Sequence, residues 1–351
     1  MELSLFTHPE FDGHEQVVFA HDRASGLRAI IGIHDTARGP ALGGCRVYDY
    51  ASEAEALTDA LRLSRGMSYK AALADLPLGG GKAVIWTAPD RPKTPAMMRA
   101  FGQAVERLAG RYITAEDVGT TPADMDEVAK ETAHVSGLTS GVGDPSPKTA
   151  HGVFLCLQAA VRHRLERTLD GVHVAVKGLG HVGWALAEEL HGAGARLTVA
   201  DIRPEQTEAA RAAFGAGIAR VEDIARVEAD VFAPCALGGD LSAETIPTLG
   251  AGIVCGAANN QLATTEDDAR LAEAGVLYCP DYLVNAAGLV TVARTSAGLS
   301  EREAQARIAA MPETLAAILE EADQTGTPPG RVADARARAA FRPAPERVNA
   351  A

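Results

Sequence analysis

The stretch that decides the fold is His173-Val174-Ala175-Val176-Lys177-Gly178-Leu179-Gly180-His181-Val182-Gly183. An apolar run of strand length meets a G-x-G-x-x-G spacing, and helix-forming residues follow to near His191. Gly178 permits a tight turn, Gly180 leaves the backbone open to a pyrophosphate, and Gly183 allows helix and strand to pack closely. Asp201 follows the next apolar segment, 23 positions after Gly178. A carboxylate there accepts hydrogen bonds from ribose hydroxyls and repels a 2′-phosphate. The strand before and the helix after favour a dinucleotide site over a merely structural turn, and NAD over NADP. Neighbouring Arg203 softens that discrimination.

Outward from this unit, residues 196–200, 231–233, 253–255 and 276–278 are short apolar strands alternating with helical segments, the pattern of a doubly wound α/β domain. A helix over 149–164 precedes them. Upstream the pattern differs. Segments 16–19 and 27–33 read as an antiparallel start, and Ser52-Glu53-Ala54-Glu55 is a capping box opening a helix to about Met67. A strand over 83–86, a helix carrying Met98, Phe101, Val105 and Leu108 on one face, and a strand over 112–114 follow. Thr121-Pro122 then opens a helix to about Val135. The Gly- and Pro-rich stretch 141–147 is the candidate boundary. These readings give an α/β chain with a mixed-sheet α/β domain over 1–145 and a doubly wound, Rossmann-type domain over 146–298. C-terminal helices over 299–351 are expected to pack back on the first domain. Pro312 is expected to kink or interrupt the first of them, and the last residues of the tail to fray.

The chain has 351 residues, 47% of them hydrophobic, enough for two cores. Its formal charge of −13 argues against a nucleic-acid-binding surface. No apolar run approaches the roughly 20 residues that span a bilayer, and residues 1–10 carry no secretory pattern. Cys45, Cys156, Cys235, Cys255 and Cys279 include no C-x-x-C pair and no zinc-ligand spacing. No metal is expected; buried free thiols in the reducing cytoplasm are.

Two lysines stand out. Lys70 ends Met67-Ser68-Tyr69-Lys70, and Lys82 ends Leu78-Gly79-Gly80-Gly81-Lys82. Three glycines cost backbone entropy, which is easier to explain if something must approach the backbone closely. A P-loop is excluded because Ala83 follows the lysine. What is left open is a lysine in a cleft beside a second lysine, lowered in pKa and able to act as a base, or a solvated surface lysine. Asp117 lies just past a strand end, where catalytic groups often project, although helix capping would also account for it.

Taken in order, several segments resemble the leucine, valine and phenylalanine dehydrogenases of the wider glutamate dehydrogenase superfamily. They are Gly39-Pro40-Ala41-Leu42-Gly43-Gly44, Leu61-Arg62-Leu63-Ser64-Arg65-Gly66-Met67-Ser68-Tyr69-Lys70, the 78–82 and 113–121 segments, Ala233-Pro234-Cys235-Ala236-Leu237-Gly238, Gly256-Ala257-Ala258-Asn259-Asn260-Gln261 and Pro280-Asp281-Tyr282-Leu283-Val284-Asn285. The resemblance covers nearly the whole chain. It implies a catalytic domain, an NAD-binding domain, a cleft that closes in turnover, and a homo-oligomer of dimer to octamer size.

Carried over, the resemblance places Lys70 on the substrate α-carboxylate, with Gly43, Gly44 and Asn259 or Asn260 nearby. Lys82 becomes the catalytic lysine and Asp117 the proton-transfer carboxylate. Hydride passes from the amino acid Cα to the nicotinamide, Lys82 activates water against the iminium, and proton exchange through Asp117 releases ammonia and a 2-oxo acid. The glutamate enzymes typically carry a lysine where this chain has Leu42, so glutamate is expected to be a poor substrate. Leu42, Ala115, Leu289 and Val292 are expected to line an apolar pocket, with Met67 either adaptable packing beside it or an ordinary core methionine. Thr149, His181, Val182, Cys235, Ala236, Leu237, Ala257, Asn259 and Asn285 join Gly178, Gly180, Gly183, Asp201 and Arg203 at the cofactor.

The 114–121 segment is more like the leucine and valine enzymes, whereas 15–19 and 61–70 are equally similar to a tryptophan-oxidising relative. Asn285-Ala286-Ala287-Gly288 departs from the family's Asn-Ala-Gly-Gly by a methyl that could shrink the pocket or shift a backbone segment. A non-catalytic dinucleotide sensor is disfavoured because Lys70, Lys82 and Asp117 occur together. A 2-hydroxy acid dehydrogenase is disfavoured because His34, His134, His151 and His181 are scattered.

Overall fold

The computed structural model describes residues 4–141 and 143–341; the terminal residues expected to fray, 342–351, lie outside the described residues. The described residues fall into two compact units. One lies within Met1–Gly143, Val292–Ser300 and Ala337–Ala351, the other within Asp144–Thr291 and Glu301–Arg336.

The first unit is built on strands β1 (Gln16–Asp22), β2 (Leu27–Asp35), β3 (Ala41–Tyr48), β4 (Gly79–Trp86) and β5 (Tyr112–Glu116), with helices α1 (Glu53–Leu73), α2 (Pro95–Glu106) and α3 (Pro122–Ala129). The strand order is β1-β2-β4-β3-β5. β1, β2 and β4 run antiparallel in turn, while β3 is parallel to both β4 and β5. Ser52 caps α1 by accepting from the Glu55 amide, Thr94 does the same for α2, and a complete capping box at Thr121 opens α3. One sheet face packs Ile31, Cys45, Ile85 and Tyr112 with Met98, Phe101 and Met125 of α2 and α3. The other packs Ile30 and Val84 with Leu57 and Leu61 of α1.

The run through Gly43 and Gly44, for which no element is expected from the sequence, is the full strand β3, although its glycines disfavour extended structure in isolation. Two expectations are corrected here. The glycine triplet does not precede a strand but begins β4. Helix α3 stops at Ala129, since the Thr114 amide donates to the His134 carbonyl and the Ser136 amide to the Thr114 carbonyl, bonds that draw the following segment beside β5.

The second unit opens with α4 (Ser146–Leu165), then β6 (His173–Lys177), α5 (His181–Gly192), β7 (Arg196–Ala200), α6 (Pro204–Phe214), β8 (Gly217–Ile218), β9 (Ala229–Pro234), β10 (Ala251–Val254), α7 (Asp267–Glu273) and β11 (Leu277–Tyr278). Helices α8 (Asp281–Val284), α9 (Ala287–Ala293), α10 (Glu301–Thr325) and α11 (Pro329–Phe341) are the last elements of the described residues. The sheet is parallel, in the order β11-β10-β9-β6-β7-β8. The chain runs outward from β6 through β7 to β8, then returns to β9 on β6's other side. The crevice at such a switch point is where doubly wound sheets bind ligands.

The C-terminal helices correct the expected third domain. Helix α10 belongs with the second unit, because its buried face of Ile308, Met311, Leu315 and Ile318 packs against α4, where Gly152 leaves room for Met311. After α10 the chain rejoins the first unit beyond 336: Arg338 Nε donates to Tyr69 Oη at 2.6 Å, and the Phe341 ring lies 5.6 Å from that of Tyr69. Pro312 does not interrupt α10, which runs through it with buried residues on both sides.

Candidate active site and dinucleotide cradle

Alternation along β3 sends Ala41, Cys45 and Val47 to the α2/α3 face and Leu42, Gly44 and Arg46 to the α1 face. Register places Lys82 of β4 and Ala115 of β5 on that same face, since Leu42 pairs with Gly80 and Gly44 with Ala115. Lys82 is only 5% exposed. Its Nζ lies 2.9 Å from Asp117 Oδ2.

Asp117 follows β5 in a tight turn. Its amide donates to Thr120 Oγ1 at 2.8 Å, and Gly119 sits at φ +79° with no room for a Cβ against the Val47 carbonyl. Asp117 Oδ2 also accepts from Arg46 Nε at 3.0 Å, Arg46 Nη1 donates to Asp59 Oδ2 at 2.9 Å, and Tyr50 Oη donates to that oxygen at 2.6 Å. Burial pushes the Asp117 carboxyl upward, but the Lys82 ammonium and the Arg46 guanidinium outweigh it and hold the group below the usual carboxylate range. Burial raises the Cys45 thiol nearby, and burial with the Asp59 bond raises the Tyr50 phenol.

The reading of the glycine triplet is half right. Something does approach closely, but it is the protein itself. A Cβ on Gly79 would lie 1.9 Å from the Asp35 carbonyl oxygen, one on Gly80 2.0 Å from the Ser68 amide nitrogen, and one on Gly81 2.7 Å from the Tyr112 ring. Gly43 and Gly44 are equally enclosed, by the Gly81 carbonyl and by Glu116 and Asp117. Gly80 thus seats the end of α1 on β4; Met67 and Lys70, on either side of Ser68 in that helix, are both half-buried. Leu42 is 2% exposed and Ala115 is buried.

In the second unit, Gly178 takes φ +96° and closes on Ala236, while a Cβ on Gly183 would lie 2.0 Å from the Gly178 carbonyl oxygen. At Gly180, by contrast, a Cβ would meet no atom within 4 Å. That open cradle at the N-terminus of α5 suits a pyrophosphate. Beside it lies a cavity of about 380 Å³ lined by Leu179, Gly180, His181, Trp184, Arg203 and Gln206. Asp201 Oδ2 accepts from the Leu179 amide at 2.7 Å, and Oδ1 from the Arg203 amide and Nε. Burial raises this carboxyl, but those bonds and the Arg203 charge hold it below its ordinary value. His181 is exposed and pairs with Asp144, and Val182 is half-buried.

At the ends of β9 and β10 stand the remaining predicted cofactor residues. The Cys235 thiol is pushed up to about 11 by burial, while Ala236 and Leu237 are exposed. Asn285 Nδ2 donates to the Ala257 carbonyl and to Asn259 Oδ1, whereas Asn285 Oδ1 is buried with no partner. Such an orphaned acceptor fits a ligand amide. Thr149 faces Gly288, and Asn260 holds φ +53° with its carbonyl close to Gly238. Leu289 and Val292, three apart on α9, share a half-buried face. The extra methyl of Ala287 points instead at Gly152 of α4, where a Cβ would come within 2.7 Å of it. It fills a helix contact, which corrects the expectation that it narrows the pocket.

Residues 14–134 match the family described as Glu/Leu/Phe/Val dehydrogenase, dimerisation domain, and residues 205–348 match Glutamate/Leucine/Phenylalanine/Valine dehydrogenase. The chain belongs to this dehydrogenase family. It is 48% identical over 310 residues to the leucine dehydrogenase of Geobacillus stearothermophilus, covering 87% of this chain and 84% of that one. It is 46% identical over 339 residues to the valine dehydrogenase of Streptomyces albus, covering 95% and 93%. The crystal structure of L-tryptophan dehydrogenase from Nostoc punctiforme superposes with a TM-score of 0.83 at 44% identity, covering 94% of this chain and 96% of that one. The fold and the nicotinamide cofactor expected from the sequence are those of this family.

Sequence reasoning missed Arg46, the second cation on Asp117 of this dehydrogenase, and its anchors Asp59 and Tyr50. A signal existed: Leu42, Gly44 and Arg46 share a period of two, so recognising β3 would have placed Arg46 beside Lys82.

Proposed function

We propose that this dehydrogenase is NAD-dependent and reversibly converts an apolar L-amino acid, a branched-chain one first, to the 2-oxo acid, ammonia and NADH. The observation that carries this reading is the buried Lys82 ammonium held 2.9 Å from the Asp117 carboxylate. A binding module has no use for such a pair, and burying it without function costs desolvation.

The Gly180 cradle, Asp201 and the Asn285 amide would hold NAD, which when bound would supply the acceptor for the hydride from the amino acid Cα. Lys70 neutralises the substrate α-carboxylate. The Lys82 ammonium first loses a proton to solvent, and its neutral amine then takes a proton from water as that water adds to the iminium carbon. Asp117 relays a proton from the carbinolamine hydroxyl to its nitrogen, so that ammonia leaves as the C=O bond forms. Overall, amino acid, NAD⁺ and water become 2-oxo acid, ammonium, NADH and a proton.

Leu42 and Ala115 present hydrocarbon where a side-chain carboxylate would need a cation, which supports apolar substrates over glutamate. An aromatic substrate is the second reading, favoured by the close superposition on the L-tryptophan dehydrogenase. The dimerisation-domain match supports a homo-oligomer, and five free cysteines support a reducing, cytoplasmic setting. No helix of the described residues is long and apolar enough to cross a membrane.

The test is NADH formation at alkaline pH with L-leucine, L-valine, L-phenylalanine, L-tryptophan, L-glutamate and a set of 2-hydroxy acids. Activity confined to apolar amino acids is expected. Turnover only of hydroxy acids or glutamate, or NADH binding without any turnover, overturns the reading.

A further inference from the structure

Both cations at Asp117 meet the same oxygen. Lys82 Nζ lies 2.9 Å and Arg46 Nε 3.0 Å from Oδ2, and neither is on Oδ1. The two cations differ in how they are held. Lys82 is a flexible ammonium on β4. Arg46 is a planar guanidinium on β3 whose second edge reaches Asp59 of α1 at 2.9 Å, and Asp59 is fixed in turn by Tyr50 Oη at 2.6 Å. The chain Tyr50–Asp59–Arg46–Asp117 thus ties the carboxylate to both a strand and a helix. All four side chains are buried or half-buried, so water competes little for these bonds.

We propose that Arg46 is a positioning residue for the proton exchange: it clamps Oδ2 of Asp117 and so commits Oδ1 to the substrate nitrogen. This rests on the proposed roles of Lys82 and Asp117. The division of labour follows from the hydrogen-bonding capacity of a carboxylate. An oxygen already accepting two charge-assisted bonds is a poor base, because protonating it must displace one of them, whereas its partner oxygen retains open lone pairs. Without the guanidinium, the carboxylate can rotate about its Cβ–Cγ bond and present either oxygen to Lys82. The proton donor would then be in its productive position only part of the time. Lysine at position 46 would keep a charge but could not bridge Asp117 and Asp59 through one planar group.

The experiment uses the full-length enzyme and the apolar amino acid that wild type oxidises fastest. Arg46→Met and Arg46→Lys are expected to lower kcat by about 10- to 100-fold while KM for the amino acid stays within about twofold, the signature of lost alignment rather than lost binding. Proton exchange then becomes slower than hydride transfer. The solvent isotope effect on kcat should rise, and the effect of Cα-deuterated substrate should shrink. Asp59→Asn, which leaves Arg46 in place but removes its charged anchor, should move the same quantities in the same direction by less, and it decides the matter if the Arg46 variants do not fold. Unchanged kcat, or a lower kcat with both isotope effects unchanged, overturns the proposal. Failure of the underlying reading looks different: wild type would oxidise no amino acid, or Asp117→Asn would remain active. An active wild type with a dead Asp117→Asn and a normal Arg46→Met sinks only the role of Arg46.

Discussion

Replacing Gly80 by alanine tests whether the glycine triplet serves the protein's own packing or the approach of a ligand. A Cβ at Gly80 would lie 2.0 Å from the Ser68 amide nitrogen, 2.4 Å from Ser68 Oγ and 2.5 Å from Ser68 Cα. Carbon contacts are comfortable near 3.5–4.0 Å, so α1 must withdraw from β4 by about 1.5 Å. The obstructing atoms are helix backbone, which cannot rotate away. Overpacking of this kind costs about 3 kcal/mol, the upper end of its usual range, and the stiffer unfolded chain returns about 0.5–1 kcal/mol. The net loss is about 2 kcal/mol, which at about 2–4 °C per kcal/mol lowers Tm by roughly 4–8 °C. Because Lys70 lies two residues beyond Ser68, KM for the amino acid should rise as well.

The matched control is Gly180→Ala. That position has open space within 4 Å and an ordinary negative φ of −68°, so stability should change by less than about 0.5 kcal/mol while NADH binding weakens at least about tenfold. Thermal unfolding by circular dichroism without ligand, paired with NADH fluorescence titration, reads both effects. If Gly80→Ala melted with wild type, or Gly180→Ala lost stability while keeping its affinity for NADH, the assignment of close approach at the first glycine and open cradle at the second would be wrong.

Three further outcomes are expected. Lys82→Ala should lower kcat by about 1,000-fold or more with NADH affinity unchanged, as checked by stopped-flow turnover and fluorescence titration; near-normal kcat would remove Lys82 from the chemistry. Asp201→Ala removes the carboxylate that restrains Arg203 Nε at 3.1 Å, so the NAD⁺ to NADP⁺ ratio of kcat/KM should fall by about tenfold or more, and an unmoved ratio would place the ribose elsewhere. His14 is pushed down to about 4 by burial and by neighbouring His34 and Arg65, which its bond to the Leu61 carbonyl only partly offsets. Since the folded state resists protonation there, its stability should weaken as pH falls from about 6.5 toward 4, by roughly 3 kcal/mol in all. Denaturation across that range, with His14→Asn giving a flatter profile, checks the sign.

Capping residues and apolar periodicity are local signals, and they suffice to mark most helices and five of the six parallel strands of the second unit, the short β8 being missed. Arg196–Ala200 is a strand with the bounds its sequence suggests. The unread β3 and the misread α10 share one cause, which is that burial by distant segments overrode local propensity. β3 is rich in glycine, yet it is strand because β4 and β5 enclose it on both sides. Helix α10 tolerates Pro312 because its buried face is long enough to hold the turn together.

The sequence by itself determined the dinucleotide fingerprint, the family, and the identity of Lys82 and Asp117 as the residues to watch, because each of these is carried by short spacings that survive in any conformation. Only the tertiary structure decided what those residues touch. That Lys82 meets Asp117, that Arg46 shares the same carboxylate oxygen, and that Ala287 fills a helix contact depend on strand register and on side chains far apart in the chain, such as Arg46 and Asp117. Hydrogen bonds act over about 3 Å, and sequence spacing fixes no distance on that scale between segments that meet only when the core closes.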